Sequence, residues 1–212
     1  MDSLLVGISG LSGSGKTFML EHLKQALGKA ACFISMDDYY KPYEQQQQDD
    51  QGVTNFDLPE ALEYERFIMD VEQLLMGRPV MLRKYQFENF GAEEQFIRLD
   101  PAPIVIAEGL FVFHFPEVRN QMSLRFFIES DLALSLQRRL DRDTSERGIT
   151  LERSRYQWDH HVMPGYQKYV LPWRDSCDLI IHNDGPPHGH VENMRRLIME
   201  RMSPEAMARI EN

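Results

Sequence analysis

The sequence predicts an α/β fold in which helices flank a doubly wound parallel sheet. Short apolar runs recur along the chain, and they are apolar throughout rather than alternating, as in parallel strands covered on both faces. Segments with apolar residues at helical spacing separate most of these runs. Because strands and helices alternate in this way, we expect right-handed crossovers between neighbouring strands.

The predicted elements follow in chain order. Apolar runs predict strands at residues 4–9, 31–35, 103–107, 124–128 and 179–181. Helical periodicity predicts helices at residues 16–27, 59–76, 132–146 and 151–170, and a last helix that begins at Gly189 and is interrupted by Pro204.

Two segments interrupt the alternation. Residues 40–54 contain four consecutive glutamines followed by two aspartates, a low-complexity stretch that predicts a mobile polar loop. Residues 80–99 contain two short strand-like runs and predict an inserted β-hairpin over the edge of the sheet. We expect the whole chain, residues 1–212, to form one domain.

Composition narrows the choice of partners. The chain has 23 basic and 33 acidic residues, which argues against a nucleic-acid partner because duplex binding depends on neutralising phosphates with cations. Its two cysteines have neither metal-site nor redox spacing, and no stretch approaches the ~20 apolar residues of a membrane span. We therefore expect a cytoplasmic protein without nucleic-acid or membrane partners. The composition leaves open whether the protein forms a homo-oligomer.

Residues 10–17 read G-L-S-G-S-G-K-T and match G-x-x-x-x-G-K-[ST] between a predicted strand and a predicted helix. Backbone N–H groups of such a loop surround phosphate oxygens, Lys16 reaches the β- and γ-phosphates, and Thr17 offers a hydroxyl to Mg²⁺. The motif predicts a P-loop NTPase-type fold that binds ATP or GTP. The predicted nucleotide-binding residues of this loop are Gly10, Leu11, Ser12, Gly13, Ser14, Gly15, Lys16 and Thr17.

Acidic residues follow two of the predicted strands. Asp37 and Asp38 come after the second strand, and Glu108 comes directly after the third. Ligands of open α/β sheets bind outside the carboxyl ends of the strands, so these acids should lie near the phosphates. There a carboxylate holds Mg²⁺ or accepts a proton from an attacking hydroxyl. The alternatives are an aspartate N-cap and an exposed loop glutamate. The predicted metal ligands are Thr17, Asp37 and Glu108.

An arginine-rich segment covers residues 137–148. Arg138 and Arg142 are four residues apart, and Arg139 and Arg142 are three apart, so they project from neighbouring faces of one helix. Arginines stabilise the charge that phosphoryl transfer spreads over three oxygens, most effectively in a closed site. The pattern predicts a helical lid at residues 138–160. Acidic residues between the arginines leave a solvated face as the alternative.

Together these motifs resemble the uridine kinase family of P-loop nucleoside kinases, with a further likeness to nicotinamide riboside kinases. The resemblance extends through about residue 181. It is carried by residues 10–17, 35–40, 55–57, 85–87, 106–109 and 138–148. It implies Mg²⁺-dependent transfer of the γ-phosphoryl group of ATP to the 5′-hydroxyl of a ribonucleoside, a small-molecule partner.

The resemblance also implies roles for individual residues. Asp37 would be the catalytic carboxylate that takes the proton of the 5′-hydroxyl, with Lys16 as the second catalytic residue. Asp57 would hold the 2′- and 3′-hydroxyls of the ribose. The remaining implied substrate contacts are Tyr85, Phe87, Arg139 and Gln157, and the implied lid contacts to the nucleotide are Arg142 and Arg147. We also expect Phe90 to contact the substrate, although it departs from the family.

The sequence leaves the identity of the phosphoryl acceptor open. Phe90 stands where uridine kinases carry a histidine that reads the pyrimidine, and Ile149 stands where they carry a lid arginine. Both differences remove hydrogen-bond donors, so an aromatic site could equally suit a nicotinamide ring or another ribosyl compound. The alternative from another class is a regulatory ATP-binding protein without an acceptor, although such a protein has no use for a ribose-binding Asp57.

Overall fold

The computed structural model describes residues 3–85, 95–185, 188–203 and 207. Five parallel strands form the central sheet in the order β2-β5-β1-β6-β7, and two antiparallel strands form a separate hairpin of β3 and β4. The bounds of the strands are Leu4–Gly10 (β1), Ala31–Ser35 (β2), Val80–Lys84 (β3), Gln95–Leu99 (β4), Ile104–Glu108 (β5), Leu124–Glu129 (β6) and Leu179–His182 (β7). The α/β prediction is confirmed.

The central strands are apolar throughout because both faces of the sheet are covered. Successive residues of β1 belong to different cores: Leu5 packs in the core that contains α2, and Val6 packs in the core that contains α1 and α7. All seven residues of β1 are buried. The bounds of the helices are Lys16–Leu27 (α1), Tyr64–Leu75 (α2), Pro116–Arg119 (α3), Leu132–Ser145 (α4), Leu151–Gln157 (α5), Met163–Gly165 (α6) and His188–Arg201 (α7). In the described residues, no helix combines the length and apolar character needed to span a membrane.

Two predicted helices differ from the structure. The helix predicted from residue 59 begins only at Tyr64, after a 3₁₀ turn at Pro59–Ala61, because Leu62 forms a bridge with Tyr40 and the backbone there is extended. The helix predicted at 151–170 is continuous in outline but contains π turns at Trp158–Val162 and Tyr166–Val170. Pro164 lies between them and lacks a backbone N–H, so regular i→i−4 bonding is interrupted there.

The prediction of a mobile polar loop at residues 40–54 is wrong, because this segment packs. Gln46 is buried, and its Nε2 donates to the carbonyl oxygens of Lys41 (2.7 Å) and Ala61 (3.1 Å). Asp49 accepts from the backbone N–H groups of residues 51 and 53, and an antiparallel bridge closes residues 48–54. Polar side chains order the loop by binding the backbone, as Asx turns do. We call this segment the acceptor loop, after the role that we propose for it.

The predicted hairpin is confirmed as the pair of β3 and β4. Its base is attached beside the end of β2, where Asp38 accepts from Lys84 Nζ at 2.5 Å and from the backbone N–H of Tyr85 at 3.4 Å. The tip, with the predicted contacts Phe87 and Phe90, lies outside the described residues.

Candidate active site

A cavity of about 490 Å³ opens at the carboxyl ends of β1, β2 and β5. The structure brings together there most of the side chains that the sequence singled out, although they come from distant parts of the chain. The predicted residues that line it are Ser12, Gly13, Gly15, Lys16, Thr17, Asp37, Asp57, Glu108, Arg139, Arg142, Arg147 and Gln157. Gly10, Leu11 and Ser14 belong to the same loop but lie behind the wall of the cavity.

The glycine-rich loop between β1 and α1 is enclosed by other segments. Gly13 has φ +80°, and a Cβ there would lie 2.1 Å from the carbonyl oxygen of Ser135 in α4. Only glycine fits such a backbone conformation at so close an approach. Lys16 Nζ donates to the carbonyl oxygens of Gly10 (2.8 Å) and Leu11 (3.1 Å). Burial lowers the pKa of Lys16.

Asn183, which follows β7, forms a hydrogen bond to this loop. Its Nδ2 donates to the carbonyl oxygen of Ser14 at 2.9 Å. Both terminal nitrogens of Arg138, a residue that lines the cavity, donate to the carbonyl oxygen of Asn183 at 3.2 Å. Sequence reasoning missed this contact because 169 residues separate Asn183 from Ser14 and no local pattern marks it.

The side chains of the two adjacent aspartates after β2 have different surroundings. Ser35 caps the short helical turn, since its Oγ accepts from the backbone N–H of Asp37 at 3.2 Å. Asp37 lines the cavity, whereas Asp38 is buried against Lys84 of the hairpin. The N-cap alternative for Asp37 is therefore wrong, because Ser35 fills that role.

Glu108 lies close to Asp37. Burial, together with the charge of Asp37, raises the pKa of Glu108 to about 7, and a hydrogen bond from Ser35 opposes this shift. With the hydroxyl of Thr17, two carboxylates on the wall of one cavity form the oxygen-donor set that suits Mg²⁺. Among the described residues, no group of three or more His, Cys, Asp or Glu side chains could hold a metal. A bound Mg²⁺ would therefore need phosphate and water oxygens as well.

Asp143 is the centre of an arginine cluster. Its carboxylate is completely buried and lies 3.2 Å from Arg139 Nε, 3.4 Å from an Nη of Arg142 and 3.5 Å from an Nη of Arg147. Ser154 of α5 donates to the same carboxylate at 2.7 Å. We call these five residues the arginine hub. The three arginines line the cavity rather than forming a solvated face.

The arginine hub has excess positive charge next to the glycine-rich loop. Arg139 donates to Ser12 Oγ at 2.9 Å, which joins the hub to that loop. Burial, followed by the charge of Arg147, lowers the pKa of Arg142. Three guanidinium groups around one carboxylate leave two positive charges, so the hub suits a polyanion. That the segment 138–160 closes as a lid stays a prediction.

Asp57 lines the cavity with only 8% of its surface exposed. Burial raises the pKa of Asp57, and the nearby charges of Arg139 and His161 oppose this shift. Gly165 of α6 lies against the same backbone: a Cβ there would be 2.4 Å from the carbonyl oxygen of Asp57. The helix can therefore pass behind Asp57 only because Gly165 has no side chain.

Aromatic rings line the cavity beside Asp57. Tyr40, Tyr43 and Phe56 contribute to its wall, and Tyr40 meets Phe56 edge-on at a centroid distance of 5.6 Å. We call these three residues the aromatic wall. Tyr85 lies behind Tyr40 at a centroid distance of 5.4 Å and is not among the described residues that line the cavity, so its contact with a substrate stays a prediction. Sequence reasoning missed Tyr40 and Tyr43 because their segment was expected to be a mobile loop.

Comparisons with known proteins agree with this geometry. A sequence-family model described as the Phosphoribulokinase / Uridine kinase family matches residues 5–186. The chain is 34% identical over 187 residues to a uridine kinase of Borrelia duttonii, covering 85% of this chain and 88% of the relative. It is 30% identical over 200 residues to a uridine kinase of Staphylococcus epidermidis, covering 94% and 97%. The resemblance to uridine kinases is confirmed.

Solved structures share the fold at low identity. The phosphoribulokinase from Rhodobacter spheroides superposes with a TM-score of 0.59 at 17% identity, covering 88% of this chain and 74% of that one. The D-glycerate 3-kinase from Cryptococcus neoformans gives a TM-score of 0.54 at 18% identity, covering 78% of each chain. At these identities the comparison establishes the P-loop kinase fold.

The burial of Asp143 generates a stability prediction. We expect Asp143→Asn to lower the free energy of unfolding by about 3 kcal/mol, because it leaves the clustered arginines without their counter-charge. Urea denaturation measures this. The matched control is Asp141→Asn on the exposed face of the same helix, for which we expect a change within about 0.5 kcal/mol. Equal stability of the two variants would show that Asp143 does not hold the hub.

The raised pKa of Glu108 generates a pH prediction for the metal-free protein. The pKa of Glu108 rises from its usual value of 4.5 to about 7 in the folded state. Between these two pH values only the folded state holds the proton, so stability falls as pH rises through this window. We expect Glu108→Gln to raise Tm by about 2–4 °C at pH 8 and by much less at pH 5. Calorimetry at both pH values tests this. Glu117→Gln, an exposed control, should shift neither Tm; a shift for Glu108→Gln that does not depend on pH contradicts the prediction.

Proposed function

Because the chain belongs to the phosphoribulokinase/uridine kinase family, we propose that it transfers the γ-phosphoryl group of ATP, or of GTP, to the 5′-hydroxyl of a ribonucleoside. The observation that carries the proposal is the composition of one cavity. A phosphate-binding loop, Asp37 and the buried Asp57 line it together with the aromatic wall. A regulatory nucleotide-binding protein would need only the first of these.

The basic part of the cavity suits the phosphoryl donor. Backbone N–H groups of residues 10–17 surround the phosphates, and Lys16 and the arginine hub supply cationic groups. The transferred group carries its charge on three equatorial oxygens in the transition state. Fixed guanidinium groups stabilise that charge without reorganisation during the reaction. A bound Mg²⁺, held through Thr17, Asp37 and Glu108, would neutralise further phosphate charge.

Asp37 is the group that accepts the proton of the attacking hydroxyl. It lines the cavity at the end of β2, whereas its neighbour Asp38 is engaged by the hairpin. Only the ionised form of a carboxylate can accept a proton from a hydroxyl. A carboxylate base in this position is the arrangement that kinases use for alcohol acceptors.

The acceptor is recognised first through its sugar. A buried carboxylate accepts hydrogen bonds from two vicinal hydroxyls, and Asp57 has this role. An acceptor without one of these hydroxyls leaves part of the carboxylate unpaired, which costs binding free energy. The aromatic wall stacks on the base with about 1–3 kcal/mol per contact but does not choose between bases. Uridine and cytidine are therefore the first acceptors to test.

A nicotinamide riboside kinase is the second candidate. Ile149 lines the cavity, so an apolar group occupies a position where uridine kinases carry an arginine. An apolar, aromatic surface suits a flat nicotinamide ring as well as a pyrimidine. The reaction and the roles of Asp37 and Asp57 are the same in both cases, and only the base differs.

The role of Asp37 predicts the effect of removing its charge. We expect Asp37→Asn to lower kcat by about 100-fold or more, because an amide accepts no proton. A coupled assay of ADP formation in the presence of the best acceptor measures this. Asp38→Asn is the matched control: it should lower Tm by loosening the hairpin but keep kcat of the folded enzyme within about threefold. Wild-type kcat for Asp37→Asn would show that Asp37 is not the base.

The role of Asp57 predicts a preference between sugars. In a panel of uridine, cytidine, nicotinamide riboside and the 2′-deoxy forms of the two pyrimidine nucleosides with Mg-ATP, we expect kcat/KM of the deoxy forms to be about 10–100-fold lower. Asp57→Ala should remove this difference by lowering the values of the ribonucleosides. Equal values for both sugars in the wild type would exclude the Asp57 contact. Turnover of ATP without transfer to any acceptor would exclude the proposed function.

A further inference from the structure

One face of helix α5 forms a third wall of the cavity. Ile149, Arg153 and Gln157 line the cavity and follow one another at intervals of four residues, so they form a single stripe along α5 and the turn before it. Arg155 lies on the same helix and is exposed like Arg153, but it does not line the cavity. The position of Arg153 on the stripe therefore distinguishes it from its neighbour of the same type.

Arg153 differs from the other arginines of the cavity in its partners. Arg138 is engaged by Asn183, and the other three are engaged by Asp143. Within the described residues, the side-chain nitrogens of Arg153 form no hydrogen bond or ion pair, whereas its backbone N–H donates to Thr150 Oγ1 at 3.3 Å. Its guanidinium is thus available to a ligand.

Gln157 gives a second, independent indication of a ligand at this stripe. Only 7% of its surface is exposed, and within the described residues its buried Oε1 has no hydrogen-bond partner. A buried acceptor without a partner costs about 1–3 kcal/mol, so such atoms are commonly paired with a ligand or water. Since Gln157 lines the cavity one turn from Arg153, a ligand that pairs with Gln157 lies within reach of both side chains.

The stripe belongs to the acceptor side of the cavity. Tyr156 of α5 donates to Asp49 Oδ2 at 2.8 Å, and His161 Nε2 lies 2.8 Å from the same oxygen. Asp49 is part of the acceptor loop, which also carries Tyr43 and Thr54 of the cavity wall. The helix that carries Arg153 is therefore attached directly to the segment that supplies the aromatic wall.

We propose that Arg153 is a specificity-determining residue that donates hydrogen bonds to a carbonyl oxygen on the aglycone of the acceptor, a proposal that rests on the proposed function. A guanidinium has five donors and no acceptor, so it selects groups that present acceptor oxygens. The aromatic wall supplies stacking area, and Ile149 supplies only apolar surface. Arg153 therefore provides donors that favour an aglycone with an acceptor oxygen over one without. The shared chemistry is a carbonyl oxygen, on a pyrimidine ring or on a carboxamide.

The experiment compares Arg153→Gln with its matched control Arg155→Gln. We measure kcat and KM for uridine, cytidine and nicotinamide riboside and for Mg-ATP, and kcat/KM for methyl β-D-ribofuranoside, which has the 5′-hydroxyl but no carbonyl. For the best carbonyl-bearing acceptor, we expect Arg153→Gln to raise KM by about tenfold or more while kcat and the KM of Mg-ATP stay within about twofold. With methyl β-D-ribofuranoside, kcat/KM should be unchanged. Arg155→Gln should resemble the wild type throughout.

Three results would overturn the inference. A rise in the KM of Mg-ATP rather than of the acceptor would assign Arg153 to the phosphates. An equal loss of kcat/KM with methyl β-D-ribofuranoside would show that Arg153 acts on the sugar or on the fold, and thermal unfolding distinguishes these. Wild-type constants for Arg153→Gln would show that it contacts no acceptor. In each case the wild type still phosphorylates ribosides, whereas failure of the proposed function shows as a wild type that phosphorylates none.

Discussion

The active site depends on one buried carboxylate. Asp143 has no exposed surface, yet three guanidinium groups and the hydroxyl of Ser154 converge on it. Without it, the arginines would repel one another and would pay the cost of burial separately. With it, two positive charges remain beside the phosphate-binding loop of a chain whose net charge is −10. A local cluster thus reverses the sign of the overall charge where the proposed anionic donor would bind.

The same carboxylate connects the phosphate-binding loop with helix α5. Arg139 extends from Asp143 to Ser12 of the phosphate-binding loop, and Ser154 ties Asp143 to α5. Helix α5 in turn is fastened to the acceptor loop through Asp49. These contacts, together with the backbone of α5, connect the phosphate-binding loop with the segment that supplies the aromatic wall. In the proposed reaction they would hold both substrates in one geometry, which is where an enzyme gains most from positioning.

Local sequence patterns predicted the elements whose structure depends mainly on residues that are close in sequence. The strands were recognisable because residues such as Leu5 and Val6 are buried on opposite faces, and the phosphate-binding loop was recognisable because its glycines and Lys16 are contiguous. The acceptor loop was mistaken for a mobile segment because Gln46 and Asp49 are ordered by contacts with distant backbone and with α5. The composition of the segment does not reveal such contacts with distant residues.

The division of charge within the cavity fits the two substrates that we propose. Asp37, Asp57 and Glu108 supply negative charge, and Lys16 and the arginine hub supply positive charge. A triphosphate is repelled by the first group and attracted by the second, whereas hydroxyl groups need the acceptors that only the first group offers. Burial and, after it, the charge of Asp37 raise the pKa of Glu108. In the proposed reaction, an Mg²⁺ ion that binds with the donor would offset the charge of these two carboxylates, so the site would be most favourable when both substrates occupy their own ends.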